Sequence, residues 1–225
     1  MSATSPSERS VPPPDLPEPG IPPRRLVDDA LRRALDIVGA LVGLVILGIL
    51  VPPVGIAIML ESGGPVFFAS RRYGRGQRGF MQWKFRTMYR DAEARLEEVR
   101  QLSNTNGPSF KSQRDPRVTR VGRILRKTSI DELPQLVNVL RGEMSLVGPR
   151  PVQDIDFRGY PNALTRRSYV RPGMTGLWQV MGRSTLPFAE MMRLDLEYVD
   201  EASIGLNLRV LARTIPAVLS QRGAY

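Results

Sequence analysis

Cysteine and histidine are both absent from this 225-residue chain. Without cysteine there is no disulfide, no thiolate nucleophile and no cysteine-ligated zinc. Without histidine the commonest general base and transition-metal ligand are gone. Chemistry therefore has to use carboxylates, lysine, arginine, hydroxyls or a hard cation held by oxygen. Acidic charge is also scarce: 22 Asp and Glu stand against 32 Lys and Arg, a formal net charge of +10. That excess suits nucleic acid, an anionic membrane surface or phosphorylated substrates, and by itself selects none of them. The length suits one catalytic domain with extensions, and no internal repeat is visible.

Residues 1–24 lack the apolar content that would offset chain entropy and are rich in Pro, Ser and Glu, which reads as a disordered tail. Charge is then missing from Ile37 to Leu60, a run bounded by Asp36 and Glu61 and long enough to enter a membrane. Pro52 and Pro53 interrupt it, since each removes a backbone donor and clashes with the preceding turn. Up to Val51 the helix would reach only about 22 Å, short of a hydrocarbon core of about 30 Å. Arg24, Arg25, Arg32 and Arg33 precede the run, and Arg71, Arg72, Arg75 and Arg78 follow it, so both flanks read as cytoplasmic. Residues 25–62 are therefore expected to form a re-entrant helix-turn-helix that bends at Pro52-Pro53 and returns to the face it entered. Broken backbone at that depth needs protein partners. A kinked spanning helix is the alternative; a secretory signal is disfavoured because no small-residue cleavage site follows the run.

Residues 63–225 read as the catalytic domain. Gly63-Gly64-Pro65 signals a turn, Val66-Phe67-Phe68 a short strand, and Phe80 to Met88 a second one, with Arg71 to Gly79 as the connecting loop. Apolar residues at helical spacing predict an amphipathic helix over Tyr89 to Leu102, followed by a polar loop over Ser103 to Pro116. Val118, Val121 and Leu125, ringed by Arg117, Arg120, Arg123, Arg126 and Lys127, predict a basic amphipathic helix suited to anionic headgroups. Further helices are expected from Asp131 to Leu140, stopped near Gly142, from Pro187 to Val199, and from Leu206 to Leu219, where Pro216 should limit the last. The fold class is α+β, mostly helical with a small sheet or hairpin and amphipathic helices lying on the membrane surface.

The stretch Arg126-Lys127-Thr128-Ser129-Ile130-Asp131-Glu132-Leu133-Pro134 concentrates the chemistry. Ser129 and Glu132 have capping-box spacing, and acids favour a first helical turn. Pro134 instead favours a helix start nearer Leu133. Taken alone, the segment leaves a structural and a chemical role open.

Its context does not. The chain resembles the bacterial sugar transferase family, the monotopic polyprenyl-phosphate phosphoglycosyl transferases in their short form, from about Arg25 to the C-terminus. The resemblance is carried by Gly64-Pro65-Val66-Phe67-Phe68, Lys84-Phe85-Arg86-Thr87-Met88 and Asp115-Pro116-Arg117-Val118-Thr119. It continues through Thr128 to Leu136, Met144 to Pro151, and Arg171-Pro172-Gly173-Met174-Thr175-Gly176-Leu177-Trp178-Gln179-Val180. So many blocks in this order are specific, whereas any one alone is weak.

The resemblance implies that Asp131 is a nucleophile, attacking the sugar-bearing phosphate of a UDP-sugar with release of UMP. Undecaprenyl phosphate would then collect the phosphosugar, a two-step scheme with ping-pong kinetics. It implies Mg²⁺ as cofactor, with Glu132 at the metal; whether Asp131 also ligates it stays open. It gives Arg126 and Arg150 as phosphate and nucleotide contacts, and the flanking Pro149 and Pro151 restrict the backbone around Arg150. For Arg150 a rigid surface turn is the alternative. Lys84 and Arg86 are further substrate-binding candidates, although exposed strands carry such charges by default. Arg171 to Val180 is expected to be a packed loop beside the site. The implied place of work is the cytoplasmic face of a bacterial inner membrane, among anionic lipids, without nucleic acid, as the first membrane step of a glycan pathway. A homodimer is left open.

Two positions depart from the family pattern. Asn207 stands where Asp is common, which puts a salt bridge there in doubt, and Pro52 stands where many relatives have Ser, so no hydroxyl can serve the broken turn. Two other functional classes compete: a glycosyltransferase releasing UDP, and a non-enzymatic binder of anionic lipid or nucleic acid. The motif block around Asp131-Glu132 and Pro149-Arg150-Pro151 argues against both. The sugar is not legible.

Overall fold

The computed structural model describes residues 26–95, 115–153 and 165–220. The expected N-terminal tail, most of the Tyr89 to Leu102 helix and nearly all of the Ser103 to Pro116 loop lie outside the described residues. Tyr89 to Arg95 is described, and it forms turns rather than helix.

Helix α1 (Leu26–Ser62) contains 37 residues and stays helical through Pro52 and Pro53, so the expected turn is corrected. Two adjacent prolines remove two donors from a long ladder. Packing holds the flanking turns: Leu44, Leu47, Val51, Val54 and Ile58, from both sides of the prolines, join one apolar cluster with Phe85 and Leu125. Farther back, Gly39 and Gly43 bring α1 close to its neighbours, since a Cβ at either would run into Leu146 or Leu136. The outward side chains of α1 stay bare, with Val45 67% and Ile49 71% exposed.

Both ends of α1 are tied to the same body. Near its start, Arg33 donates to the carbonyls of Val139 (2.6 Å) and Leu140 (2.8 Å). Asp28 accepts from the Ile204 amide (2.8 Å). At its end, the Glu61 carboxylate accepts from the amides of Arg120 (2.7 Å) and Val121 (2.8 Å).

A hairpin follows. Strand β1 (Phe67–Tyr73) pairs antiparallel with β2 (Gly79–Phe85), in register from Phe67 opposite Phe85 to Tyr73 opposite Gly79. The loop expected from Arg71 to Gly79 is shorter, because Arg71, Arg72 and Tyr73 belong to β1 and Gly79 to β2. Cross-strand contacts sustain the pairing: Arg72 donates to Gln82 (3.0 Å). Only Gly74 to Arg78 turns the chain, with Gly76 at φ 62°. β2 stops at Phe85, short of the expected Met88, because Met88 bridges to Val118 instead.

Helix α2 (Arg120–Thr128) has all four leading amides satisfied, two by Glu61 and two by Thr119. The single helix expected from Asp131 divides into a 3₁₀ turn, Ile130–Gln135, and α3 (Leu136–Arg141). Pro134 has no donor for an α ladder, and the α3 end is closed by Gly142 at φ 78°. Asn138 of α3 grips the free edge of β2, accepting from the Trp83 amide (3.2 Å) and donating to the Met81 carbonyl (2.8 Å).

Strand β3 (Ser145–Val147) pairs in parallel with β4 (Gly173–Thr175), and α4 (Leu177–Met181) follows directly. Arg171 to Val180 is thus strand and helix rather than a loop. Gly148 and Gly173 allow this, since a Cβ on either would overlap the other backbone. Helices α5 (Phe188–Glu201) and α6 (Ile204–Leu219) close the domain, and α6 runs through Pro216, beyond the expected limit. Their inner faces bury Leu194, Tyr198, Leu206 and Val210 with Val147 and Trp178. The architecture is mostly helical with two small sheets, as the sequence suggests.

Candidate active site

The site is built at the end of α2. Ser129 takes a left-handed conformation (φ 57°) that ends the helix and turns the chain into Ile130-Asp131-Glu132. Its side chain caps nothing in the following turn. The Ser129 hydroxyl instead accepts from Arg183 Nη2 (2.8 Å), so the capping-box alternative is not realised.

Glu132 has a different partner. Its Oε1 lies 2.7 Å from Lys84 Nζ, which projects from β2. Burial pushes the Glu132 carboxyl upward, but Lys84 foremost, then Arg150 and Arg183, carry it below its ordinary value. Asp131 goes the other way. It is only 8% exposed. Burial first, then the charge of Glu132, pushes its carboxyl up to about 6, against the pull of Lys84 and Arg126. Two adjacent carboxylates thus receive opposite environments, the usual mark of divided chemical roles.

The cations converge from separate elements. Arg126, on α2, donates from Nε to the Thr87 hydroxyl (3.1 Å) and faces both Asp131 and Asp115. Burial lowers its pKa from the ordinary value, and the two carboxylates oppose that. α2 is seated hard against the segment that follows β2, since a Cβ at Gly122 would overlap the Thr87 carbonyl.

Arg150 follows β3, and its charge acts on Glu132. Its backbone is held on both sides. The Arg150 carbonyl accepts from Arg167 Nη2 (2.6 Å), and Pro149 offers its carbonyl to the Gly173 amide (2.8 Å). Arg167 is itself paired with Asp195 (2.8 Å), both buried. Pro151 is buried beside them.

The sequence-predicted residues Asp131, Glu132, Arg126, Lys84 and Arg150 therefore act on one another across four parts of the chain. Arg86 does not join them by any described contact with the carboxylates. It donates to the Pro65 carbonyl (3.0 Å) and lies over the Phe68 ring. Pro52 and Pro53 sit within the long apolar helix α1.

Three participants are not among the sequence-predicted site residues: Arg183, Ser129, which the sequence offers only as a helix cap, and Thr87. Arg183 has the clearest signature in the fold. It adopts φ 53°, bonds Ser129, bears on Glu132, and keeps a buried Nη1 with no protein acceptor. Only its position just after the Gly176 to Val180 block, as Gly182-Arg183, could have pointed to it. Among the described residues no group of three or more acidic side chains is assembled around a metal position. Asp131 and Glu132 are the carboxylates available.

Comparison with known proteins identifies the family. The profile of the bacterial sugar transferase family matches residues 27–221. Galactosyl transferase CpsE of Streptococcus agalactiae is 42% identical over 198 residues, 86% of this chain and 43% of that protein. Exopolysaccharide production protein ExoY of Rhizobium meliloti is 38% identical over 205 residues, 89% of this chain and 91% of its own length. The UDP-glucose:undecaprenyl-phosphate glucose-1-phosphate transferase of Caulobacter vibrioides is 41% identical over 217 residues, 92% of this chain and 76% of that protein. The chain thus spans less than half of the streptococcal relative and nearly all of the rhizobial one.

Proposed function

Because the chain belongs to the bacterial sugar transferase family, we propose that it moves a sugar 1-phosphate from a UDP-sugar to undecaprenyl phosphate, releasing UMP. The observation that carries this reading is the buried Asp131 carboxyl beside an ion-paired Glu132, with Lys84, Arg126, Arg150 and Arg183 converging on the two. A diphosphate needs such cations, and guanidinium groups match phosphate oxygens in pairs.

In the first step an Asp131 oxygen attacks the phosphorus that carries the sugar. A new P–O bond forms to Asp131, the bond to the bridging oxygen breaks, and that oxygen leaves with UMP. In the second step an oxygen of undecaprenyl phosphate attacks the same phosphorus, the bond to Asp131 breaks, and the carboxylate is restored. Covalent catalysis divides one transfer into two. Lys84 keeps Glu132 ionised, while Arg126, Arg150 and Arg183 bind and orient the anionic groups.

Two carboxylates plus substrate phosphates and water are a donor set that Mg²⁺ accepts. Glu132 would hold it, and its Oε2 is not committed to Lys84. When bound, the ion neutralises diphosphate charge that would otherwise repel Asp131.

The same proposal places the enzyme on the cytoplasmic face of the inner membrane, with α1 dipping in and returning. A helix of 37 residues is about 55 Å long if straight. Yet Asp28 and Arg33 at one end and Glu61 at the other are all bonded to one domain. A crossing helix would carry one end away from it. Pro52 and Pro53, which take two donors out of the unbroken helix, are where it would bend, and the bare apolar side chains Val45, Ile46 and Ile49 before them supply the embedded surface.

The test is nucleotide release by detergent-purified protein with undecaprenyl phosphate, Mg²⁺ and a panel of UDP-sugars, run beside Asp131→Asn. UMP formed with one donor and lost in the variant is the expected result. UDP as the product would overturn the mechanism in favour of sugar transfer.

A further inference from the structure

Phe67 and Phe68 are neighbours with different surroundings. The Phe67 ring stacks on buried Phe85, with centroids 5.3 Å apart. Phe68 points to the other face of the hairpin and is 38% exposed. Directly opposite it in register is Lys84, whose Nζ is the partner of Glu132. Over its ring lies Arg86, with the guanidinium carbon 5.7 Å from the centroid. Arg86 is fixed there by its bond to the Pro65 carbonyl. An aromatic surface thus stands open between two cations, one of them bound to the catalytic carboxylate pair.

Its location separates it from the other cations. Val66, two residues earlier, packs on Gly55 of α1, so the Phe68 ring sits where the apolar helix meets the hairpin. Arg150 and Arg183 reach Glu132 from segments that follow β3 and α4. A nucleotide sugar arriving from water gains little from an aromatic ring at the foot of an apolar helix. A lipid phosphate has both complementary parts, an anionic head and an apolar first unit next to it. We infer that Phe68 and Arg86 form the platform on which the head end of the polyprenyl phosphate acceptor docks, the first isoprene unit on the ring and the phosphate between Arg86 and Lys84. This rests on the function proposed above, and it assigns the acceptor to the Phe68 side of Glu132 and the donor to the Arg150 and Arg183 side.

Two measurements on Phe68→Ala, Phe68→Tyr and wild type test it. The first is retention of undecaprenyl phosphate by the detergent-purified protein, read by native mass spectrometry without donor, so that no chemistry is needed. The second is UMP released from UDP-glucose or UDP-galactose without acceptor. Contact with one isoprene unit removes on the order of 50 Å² of apolar surface, so Phe68→Ala should weaken retention about tenfold. It should raise the acceptor KM by a similar factor while leaving the acceptor-free release of UMP and the melting temperature unchanged. Phe68→Tyr, which keeps the ring, should behave as wild type. Undiminished lipid retention in Phe68→Ala would overturn the inference. So would a slowed donor step, which would assign the ring to the nucleotide. Should wild type release UDP instead of UMP, the proposed reaction falls while the retention measurement still decides the platform.

Discussion

Glu61→Ala tests how the long apolar helix α1 is joined to the candidate active site. The Glu61 carboxylate closes the start of α2 by accepting from the Arg120 and Val121 amides at 2.7 and 2.8 Å. Thr119 satisfies the next two, through its hydroxyl to Gly122 and its carbonyl to Arg123. Bonds to a charged acceptor contribute about 1.5–3 kcal/mol each, and loss of a cap costs about 0.5–2 kcal/mol. Water can replace the carboxylate at the exposed Arg120 amide but less well at the half-buried Val121 amide. We therefore expect a loss of about 2 kcal/mol in all. At roughly 2–4 °C per kcal/mol for a domain this size, thermal unfolding in a fixed detergent should come down by about 4–8 °C. The effect should reach catalysis too, because α2 carries Arg126 and delivers Asp131, so kcat should fall more than KM rises. Glu61→Gln, with one acceptor oxygen instead of two, should recover part of both. A Glu61→Ala protein melting within about 1 °C of wild type would refute the argument. So would full additivity with Thr119→Ala, since the two caps share one helix start.

Three other outcomes are expected. Arg183→Ala should lower kcat/KM for UMP formation by about 10–100-fold, with Arg183→Lys only partly active, because the lost group is a charge-assisted donor beside Glu132; initial rates across donor concentrations check this. In the proposed mechanism Asp131 is ionised when it attacks, and its carboxyl is pushed up to about 6, so kcat/KM should climb as pH rises through that value and level off above it. Lys84 lowers that pKa, so Lys84→Gln should move the acid limb to higher pH. Finally, Asn207 accepts from the buried Tyr198 hydroxyl at 2.8 Å while its own Nδ2 has no protein acceptor. Tyr198→Phe would leave that buried Asn207 oxygen without its donor, so stability should fall by about 1–3 kcal/mol, read as a lower melting temperature.

Local pattern made some of this legible. The uncharged run from Ile37 to Leu60 predicts helix, and α1 covers it as one unbroken helix; the strand signals around Phe67 and Phe80 predict the hairpin. Reading failed where partners come from elsewhere. Arg71 and Arg72 look like loop residues in isolation, but β2 supplies Gln82 and a full ladder. Arg171 to Val180 looks like a loop because of its glycines and proline, yet those glycines are what let β4 lie against the backbone after β3. Pro216 does not stop α6, which is held by burial of Leu206 and Val210 upstream.

The sequence by itself determined what is local or compositional. It ruled out thiol and imidazole chemistry, set Asp131 beside Glu132, fixed the apolar length of α1, and carried the ordered blocks by which the family is recognised. Only the tertiary structure decided which cation meets which carboxylate. Lys84 and Glu132 are 48 positions apart, and Arg183 and Ser129 are 54 apart. Their pairing depends on how β2, α2 and α4 pack, information that no local window holds. The same packing separates two adjacent acids: burial raises the Asp131 pKa, while the ion pair with Lys84 of β2 lowers that of Glu132. Desolvation and Coulomb energy depend on distance in space, so the division of labour between these two neighbours appears only once the chain has folded.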